Sequence, residues 1–304
     1  MQVNVYKSIV AAESDLRQVS VAGFQTYSVL RAVEIGDGRY KRLLFFLHPI
    51  RAMLCLLRRR RRFRVYTVVN DKGLVVMAAP FYLTMDGSWQ LAGDSHDLDY
   101  IDFLYGKFPI EVLKSAMDCL LKSLIKDGIN KIGVRRLAEE SVTNRLLLDC
   151  KRFDMAQSKS VRIPFGEDYP TYFAALGKHA KQNVRTAYNR MARSEIQYEF
   201  CFFSSCGLGQ DLKSETGREM LDECWHVYRS RQNARYKHEG LSYWLWMTYC
   251  DSTRNALPGD NGFLAYVKVG ERVVAFMEGF VNEIKNSLEV PRLITHMAFK
   301  GKLT

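Results

Sequence analysis

The sequence predicts a mixed α/β protein with two similar halves, each a mostly antiparallel sheet flanked by helices. The chain has 304 residues, about twice the usual length of one domain. Its first half shows hairpin, strand, helix, strand and helix patterns in that order, and its second half shows helices followed by three consecutive strands. We therefore expect one domain at 1–157, carrying a basic insertion at 39–64, and a second domain at 158–304.

The sheet of the first half is predicted to begin with a hairpin. Arg64 to Asn70 is rich in β-branched residues, Asp71-Lys72-Gly73 is typical of a tight turn, and a second apolar run follows from Leu74 to Leu83. Pro80 inside that run predicts a bulge or a break in the strand. The other first-half patterns are short strands at 88–92 and 100–104, a helix after Pro109, a strand at 131–137 and a helix at 139–150.

The second half is predicted to have helices before its sheet. Its three final strands form a meander around a Gly270-Glu271 turn, and nothing after Thr295 would cover them, so we expect this half to be incomplete. The remaining second-half patterns are a strand at 161–164, helices at 169–176 and 178–194, a strand at 196–203, helices at 215–233 and 241–251, and strands at 262–269, 273–282 and 288–295.

The positive charge of the chain is local. The formal net charge is +11, but Arg39 to Arg64 holds ten of the 44 Lys and Arg residues and no acidic residue, which does not favour a nucleic-acid-binding face. The apolar stretch Leu43 to Leu57 is too short and too interrupted to cross a bilayer. The arginines that follow it either lie solvated on a helical hairpin or contact an anionic membrane surface peripherally. They are Arg58, Arg59, Arg60, Arg61 and Arg62.

Cysteine usage and the N-terminus indicate the cytoplasm, with the inner membrane as the surface that the arginines would contact. The seven cysteines contain no CxxC pair and are typical of free thiols in a reducing compartment. No apolar signal-peptide core follows Met1. We expect no metal site, because the six histidines are dispersed and no HExxH motif occurs. The GxSxG, P-loop and GxGxxG motifs are also absent.

An acidic loop and a basic helix are the densest polar features. The loop lacks the glycine and glutamate of an EF-hand, and is either an acidic turn between strands or a substrate contact. Its members are Asp94, His96, Asp97, Asp99 and Asp102. The helix has an apolar stripe, which predicts that one face packs, and an opposite basic face with no acidic residue, which either binds an anion or is solvated. The stripe is Ala180, Val184, Ala187 and Met191, and the basic face is Lys178, Lys181, Arg185 and Arg193.

This basic helix carries a resemblance to a known family. The stretch LGKHAKQNVRTAYNRMARSE resembles a signature of the acetyltransferases typified by the CelD/BcsL cellulose-biosynthesis proteins, which are related in fold to FemAB transferases. The matching positions are Lys178, Lys181, Asn183, Arg185 and Ala187. Similar stretches are Phe24 to Tyr27, Val75 to Tyr82 and Leu264 to Phe280.

The resemblance implies two tandem GNAT-like domains and a bacterial acyltransferase. Acetyl-CoA or another acyl-CoA would be the donor, and a sugar or cell-envelope polysaccharide precursor would be N- or O-acylated. The second domain would end before the loop that holds the donor pyrophosphate, and the anion-binding residues would be Lys178, Lys181, Asn183 and Arg185. A carboxylate acts as base in many such enzymes, and Glu278 is the one carboxylate between Val273 and Asn282.

Alternatives stay open for both the residue and the protein. Glu278 is either the general base or a partly exposed glutamate at a sheet edge. Two alternative functions are a FemAB-like transferase that takes its aminoacyl group from aminoacyl-tRNA, and a scaffold of polysaccharide assembly without catalytic activity.

Overall fold

The computed structural model describes eleven segments of the chain. They are 1–19, 27–35, 63–84, 88–92, 101–129, 131–134, 137–147, 168–194, 196–236, 254–282 and 286–296. Several predictions fall outside these residues: Arg58 to Arg62, the acidic loop except Asp102, the strand at 161–164, the helix at 241–251 and the boundary between 157 and 158.

The first half forms one six-stranded sheet. Its strand order is β1-β2-β3-β4-β6, and β5 also pairs with β3. Every pairing is antiparallel except β4 with β6, which is parallel. The strands are β1 (Gln2–Tyr6), β2 (Phe63–Val69), β3 (Val75–Leu83), β4 (Trp89–Leu91), β5 (Leu104–Tyr105) and β6 (Ile132–Gly133).

The hairpin of β2 and β3 forms for local reasons. The side-chain oxygen of Asn70 accepts hydrogen bonds from the backbone N–H groups of Lys72 and Leu74, both at 3.0 Å, which closes the turn. Gly73 takes φ = +77°, a conformation that glycine adopts at little cost. All but the last residue of β3 are buried, so both faces of this central strand are covered.

The predicted bulge or break at Pro80 was wrong. β3 continues through Pro80, which pairs with Val65 of β2. Pro80 lies between the part of β3 that pairs with β5 and the part that pairs with β4, and its carbonyl accepts a 2.8 Å bond from Ala92. Because the N and C=O of one residue point to the same side of a strand, the missing N–H of Pro80 also faces Ala92, directly after the end of β4. It therefore removes a bond only at the end of the β3–β4 ladder and does not interrupt β3.

Helices cover the first sheet. Both α1 and α3 contact β3, and α3 buries one stripe that includes Leu113, Met117 and Leu120. Gly128, at φ = +74°, follows the end of α3 as predicted. The helices are α1 (Glu13–Val19), α2 (27–35), α3 (Ile110–Lys126) and α4 (Val142–Leu147).

The second half forms a separate five-stranded sheet in the order β11-β10-β9-β7-β8. The β7–β9, β9–β10 and β10–β11 pairings are antiparallel, and the short β8 is parallel to β7. The strands are β7 (Tyr198–Ser204), β8 (Gln210–Asp211), β9 (Gly262–Val269), β10 (Arg272–Asn282) and β11 (Ser287–Thr295). The helices are α5 (Tyr169–Ala175), α6 (Lys178–Arg193) and α7 (Glu215–Tyr236), and α7 packs on β10.

The two sheets share part of their connectivity. In the first, α1 and α2 separate β1 from β2, yet these two strands pair; in the second, α7 separates β7 from β9, and these also pair. Consecutive antiparallel strands then follow in each sheet. The predicted fold class, mixed α/β with two mostly antiparallel sheets flanked by helices, is confirmed.

Candidate functional site

Glu278 belongs to β10, and its side chain lies inside the core on the side that α7 covers. Strand alternation places it on the same face as Phe276 and Phe280, as the sequence predicted, and all three side chains are buried. The exposed fraction of Glu278 is 0%, so the alternative of a partly exposed edge glutamate was wrong.

The partner of Glu278 comes from the neighbouring strand. Arg292 of β11 is the cross-strand neighbour of Glu278, and its Nη1 donates a 2.9 Å hydrogen bond to Oε1. The Arg292 side chain is only 4% exposed. An ion pair without access to water must compensate the desolvation of both charges, so its surroundings decide its effect.

Two aromatic rings of α7 cover this ion pair. The guanidinium carbon of Arg292 lies 4.8 Å from the ring centroid of Trp225 and 5.4 Å from that of Tyr228. The two rings meet edge to face at 5.1 Å, and both are buried. Cation–π attraction therefore offsets part of the desolvation of Arg292 and ties β11 to α7.

The electrostatics of Glu278 oppose its ionisation. Burial raises the pKa of its carboxyl above the ordinary value, and the charge of Arg292, their hydrogen bond, the Trp225 indole and Arg254 counteract this only in part. The Trp225 indole lowers the pKa of the Glu278 carboxyl, although its N–H makes no hydrogen bond of normal geometry within the described segments. Within the described segments, Oε2 of Glu278 has no hydrogen-bond partner.

Cys224 adjoins the same cluster and is also fully buried. Burial raises the pKa of its thiol well above the ordinary value, and the negative charge of Glu278 adds to this effect. The thiol is therefore kept protonated and is a poor nucleophile. Within this cluster, the Glu278 carboxylate is the group suited to accept a proton.

The sequence pointed to Glu278 but not to the residues around it. Arg292, Trp225, Tyr228 and Cys224 escaped notice because they belong to elements far from Glu278 along the chain. A weak signal exists, since Trp225 and Tyr228 are three residues apart and share one helix face.

The predicted anion-binding residues all lie on α6. Lys181 donates from Nζ to the carbonyl of Ala174 at 2.8 Å, which ties α6 to α5. Arg185 lies 5.5 Å from the ring centroid of Phe173, and Lys178 and Asn183 are exposed. No α6 side chain is buried, so the apolar stripe packs less than predicted: Ala180 is exposed and the other three members are half-buried.

A groove of about 330 Å³ lies between α5 and α6. Three aromatic rings and one guanidinium dominate its walls, and the neighbouring hydroxyl of Tyr188 raises the pKa of Tyr169. The sequence analysis missed these aromatic residues, although Tyr169 and Phe173 are four residues apart and therefore share a helix face. The groove is lined by Tyr169, Phe173, Val184, Arg185, Tyr188 and Asn189.

The groove and the Glu278 cluster are two distinct groups of residues. The groups that shift the pKa of Glu278 are Arg292, Trp225 and Arg254, and none belongs to α6. Among the described residues, no cluster of His, Cys, Asp and Glu could hold a metal ion. Within the same residues, no helix is both long and apolar enough to cross a bilayer. Cys119, Cys201, Cys206 and Cys224 are free thiols.

Two solved structures are weakly similar to this chain. No protein-family model matches the chain, and no curated protein matches it significantly. A conserved protein of unknown function from Bacteroides thetaiotaomicron VPI-5482 is similar with a TM-score of 0.48 and 13% identity, over 99% of this chain and 82% of that one. A probable acetyltransferase is similar with a TM-score of 0.28 and 11% identity, over 55% of this chain and 100% of that one.

Proposed function

We propose that this chain is an acyl-CoA-dependent acyltransferase that moves an acyl group, in the simplest case acetyl, to an amine or hydroxyl of a sugar or cell-envelope polysaccharide precursor. The observation that carries the proposal is the buried carboxylate of Glu278, which has a raised pKa and one oxygen without a partner among the residues that the structure describes. A carboxylate whose pKa is raised by burial is a stronger base than an ordinary glutamate and is therefore suited to accept a proton. The resemblance of residues 176–195 to the CelD/BcsL signature and the partly shared connectivity of the two sheets support the same family.

The proposed chemistry needs one proton acceptor. The acceptor nitrogen or oxygen attacks the thioester carbonyl, a C–N or C–O bond forms, and the C–S bond breaks. The proton lost by the attacking group passes to Oε2 of Glu278, and the leaving thiolate takes up a proton to become a thiol. Arg292 holds Oε1, so Oε2 is the oxygen that takes part. Because Glu278 is 0% exposed, the transfer requires either one bridging water or a displacement of Trp225.

The loop before α3 does not fit the donor pyrophosphate. Such a group normally rests on free backbone N–H groups at a helix start. Here Pro109 has no N–H, the N–H of Phe108 bonds to Gly106 at 3.0 Å, and Glu111 adds negative charge to the first turn. The proposal therefore does not place the donor pyrophosphate at this helix start.

Product formation tests the proposal directly. The chain is incubated with acetyl-CoA and a panel of amino sugars and sugar nucleotides, and products are identified by mass spectrometry, which avoids interference from the protein thiols. Glu278→Gln should lower turnover by about 10²- to 10⁴-fold, the usual contribution of a general base. Glu271→Gln, in the exposed turn between β9 and β10, is the matched control and should leave turnover unchanged. Equal turnover of both variants at every pH would exclude Glu278 as the base.

The basic face of α6 favours one alternative function. A FemAB-like transferase would use this face to meet aminoacyl-tRNA, since α6 has no acidic residue. RNA binding that weakens steeply with salt and is lost on substitution of Lys181 and Arg185 would favour it. Acyl-CoA-dependent product without such binding would favour the acyltransferase. The peripheral membrane contact through Arg58 to Arg62 stays a prediction.

A further inference from the structure

The hairpin of α5 and α6 differs from the other helices of the fold. None of its side chains is buried, although it contains four aromatic residues. Tyr169 is 51% exposed and Tyr188 is 58% exposed. Large aromatic side chains that converge at a surface commonly mark a binding site rather than a part of the core.

The hairpin also presents cations without acidic partners. Lys178, Lys181 and Arg185 lie at helical spacing on one face of α6. None of the three forms an ion pair with the residues that the structure describes, and Lys181 is held by a backbone carbonyl. Positive charge at this surface is therefore available to an anion.

The groove combines these two features. The Arg185 guanidinium lies over the ring of Phe173, Tyr169 lies 5.9 Å from Phe173 between ring centroids, and Tyr188 lines the same groove. Asn189 adds an amide, which both donates and accepts hydrogen bonds. A volume of about 330 Å³ is at the lower end of small-molecule sites. The groove can therefore hold one flat ring with an attached anion.

We propose that the groove between α5 and α6 binds a nucleotide, with the nucleobase against Tyr169, Phe173 and Tyr188 and the phosphate at Arg185. Stacking on aromatic rings beside a cationic surface is the usual way in which proteins hold a nucleobase without reading its sequence. A flat membrane surface does not fit a concave groove. The site itself does not depend on acyl transfer; the two candidate sources of the nucleotide rest on the proposed function.

Those sources are the adenine nucleotide of the acyl-CoA donor and the nucleoside diphosphate of an activated sugar. Titration calorimetry of the whole chain separates these sources, with 3′,5′-ADP as the probe for the donor and UDP as the probe for the activated sugar. The ligand that binds more tightly identifies the source. Glucose 1-phosphate is the control ligand, because it carries a phosphate but no nucleobase. We expect both nucleotides to bind more tightly than glucose 1-phosphate, since only they can stack.

Three variants locate the site on α6. Arg185→Gln and Tyr188→Ala should each weaken nucleotide binding by about tenfold or more, from the loss of a charged hydrogen bond and of base stacking respectively. Arg193→Gln removes the same charge from the same helix but outside the groove, so it should leave the affinity within about twofold. Circular dichroism confirms that the variants fold, which we expect because no α6 residue is buried.

Three results would overturn the proposal. The first is absence of nucleotide binding at millimolar concentration. The second is any sign that the aromatic rings of the groove contribute nothing to affinity. Such a sign would be nucleotide binding that Tyr188→Ala leaves unchanged, or glucose 1-phosphate that binds as tightly as UDP. The third is a single-stranded oligonucleotide that binds far more tightly than either nucleotide, with an affinity that Arg193→Gln and Arg185→Gln weaken equally. That result would show a nucleic-acid strand lying along the whole basic face of α6.

Discussion

Arg292 on β11 stands opposite Glu278 on β10, and their side chains pair at 4% and 0% exposure, beneath Trp225 and Tyr228 of α7. The pair therefore connects three elements of the second half. Because both side chains are buried, water cannot replace either partner. Removal of one charged side chain therefore leaves the other charge buried and uncompensated. The same geometry directs one carboxylate oxygen to Arg292 and leaves the other unpartnered in the described part of the chain.

Arg292→Met should lower the free energy of unfolding by about 3–5 kcal/mol, the usual cost of breaking a buried ion pair from one side. Urea-induced unfolding followed by circular dichroism measures this loss. Arg272→Met, at the exposed start of β10, removes the same charge from the same sheet and should leave the stability unchanged. A loss below about 1 kcal/mol for Arg292→Met would mean that the pair contributes little to the fold.

The stability contribution of Glu278 should depend on pH with a definite sign. Burial raises its folded-state pKa above the ordinary value of 4.5, so the folded chain retains the proton to higher pH than the unfolded chain. The contribution is fully present below pH 4.5 and is lost as pH rises through the folded pKa. Glu278→Gln cannot ionise, so the unfolding free energy of the wild type minus that of the variant should fall as pH rises.

Urea unfolding of the wild type and Glu278→Gln at several values between about pH 4 and pH 8 gives this difference directly. A difference that instead increases with pH would show that Arg292 outweighs burial and lowers the pKa of Glu278. Glu271→Gln, which removes an exposed carboxylate from the turn before β10, again serves as control.

Local sequence signals predicted the strands and turns well. The β2–β3 and β9–β10 hairpins form where β-branched runs flank Gly73 and Gly270, whose φ values are +77° and +57°. Such signals act within a few residues and so can be read without the tertiary structure. The outcome at Pro80 could not be read in this way, because it depends on which neighbouring strand faces the missing N–H.

The site was predictable only in part. Glu278 was identified from its strand position, but its pairing with Arg292 depends on register, and the β10–β11 register shifts at a bulge between Glu278 and Phe280. The groove depends on how two short helices meet, and helical periodicity describes each helix alone. For that reason the apolar stripe of α6 predicted a packed face, whereas the structure leaves Ala180 exposed.

Gly279 sits at this bulge and should not tolerate a side chain. A Cβ at this position would lie 1.9 Å from the carbonyl oxygen of Glu289, which is a backbone atom and cannot rotate away. Gly279→Ala should therefore destabilise the protein by about 1–3 kcal/mol, as overpacked cores do. Gly177→Ala is the control for added bulk, because a Cβ there meets nothing within 4 Å and the only expected cost is a weaker N-cap of α6. A thermal midpoint of Gly279→Ala equal to that of Gly177→Ala would contradict this account of the bulge.

A chain of hydrogen bonds joins α4 to β5 in the first half. Thr143 Oγ1 donates to Asp102, and it lies 2.6 Å from the hydroxyl of Tyr105. Because the single proton of Thr143 goes to the carboxylate, the Tyr105 hydroxyl must be the donor in the second bond. Burial, reinforced by the charge of Asp102, raises the pKa of Tyr105, so this proton is firmly held.

Thr143→Val keeps the shape of the side chain but removes the hydroxyl that joins Tyr105 to Asp102. The Tyr105 hydroxyl would lose its acceptor in a buried position, so stability should fall by about 1–3 kcal/mol. Thr143→Ser retains the hydroxyl and should lose distinctly less, which a comparison of thermal unfolding by circular dichroism would measure. A loss for Thr143→Val no larger than that for Thr143→Ser would contradict this account, because the hydroxyl would then contribute no more than the methyl group that only the Ser variant lacks. The larger loss for Val would show that the hydrogen-bonded hydroxyl holds α4 on the sheet.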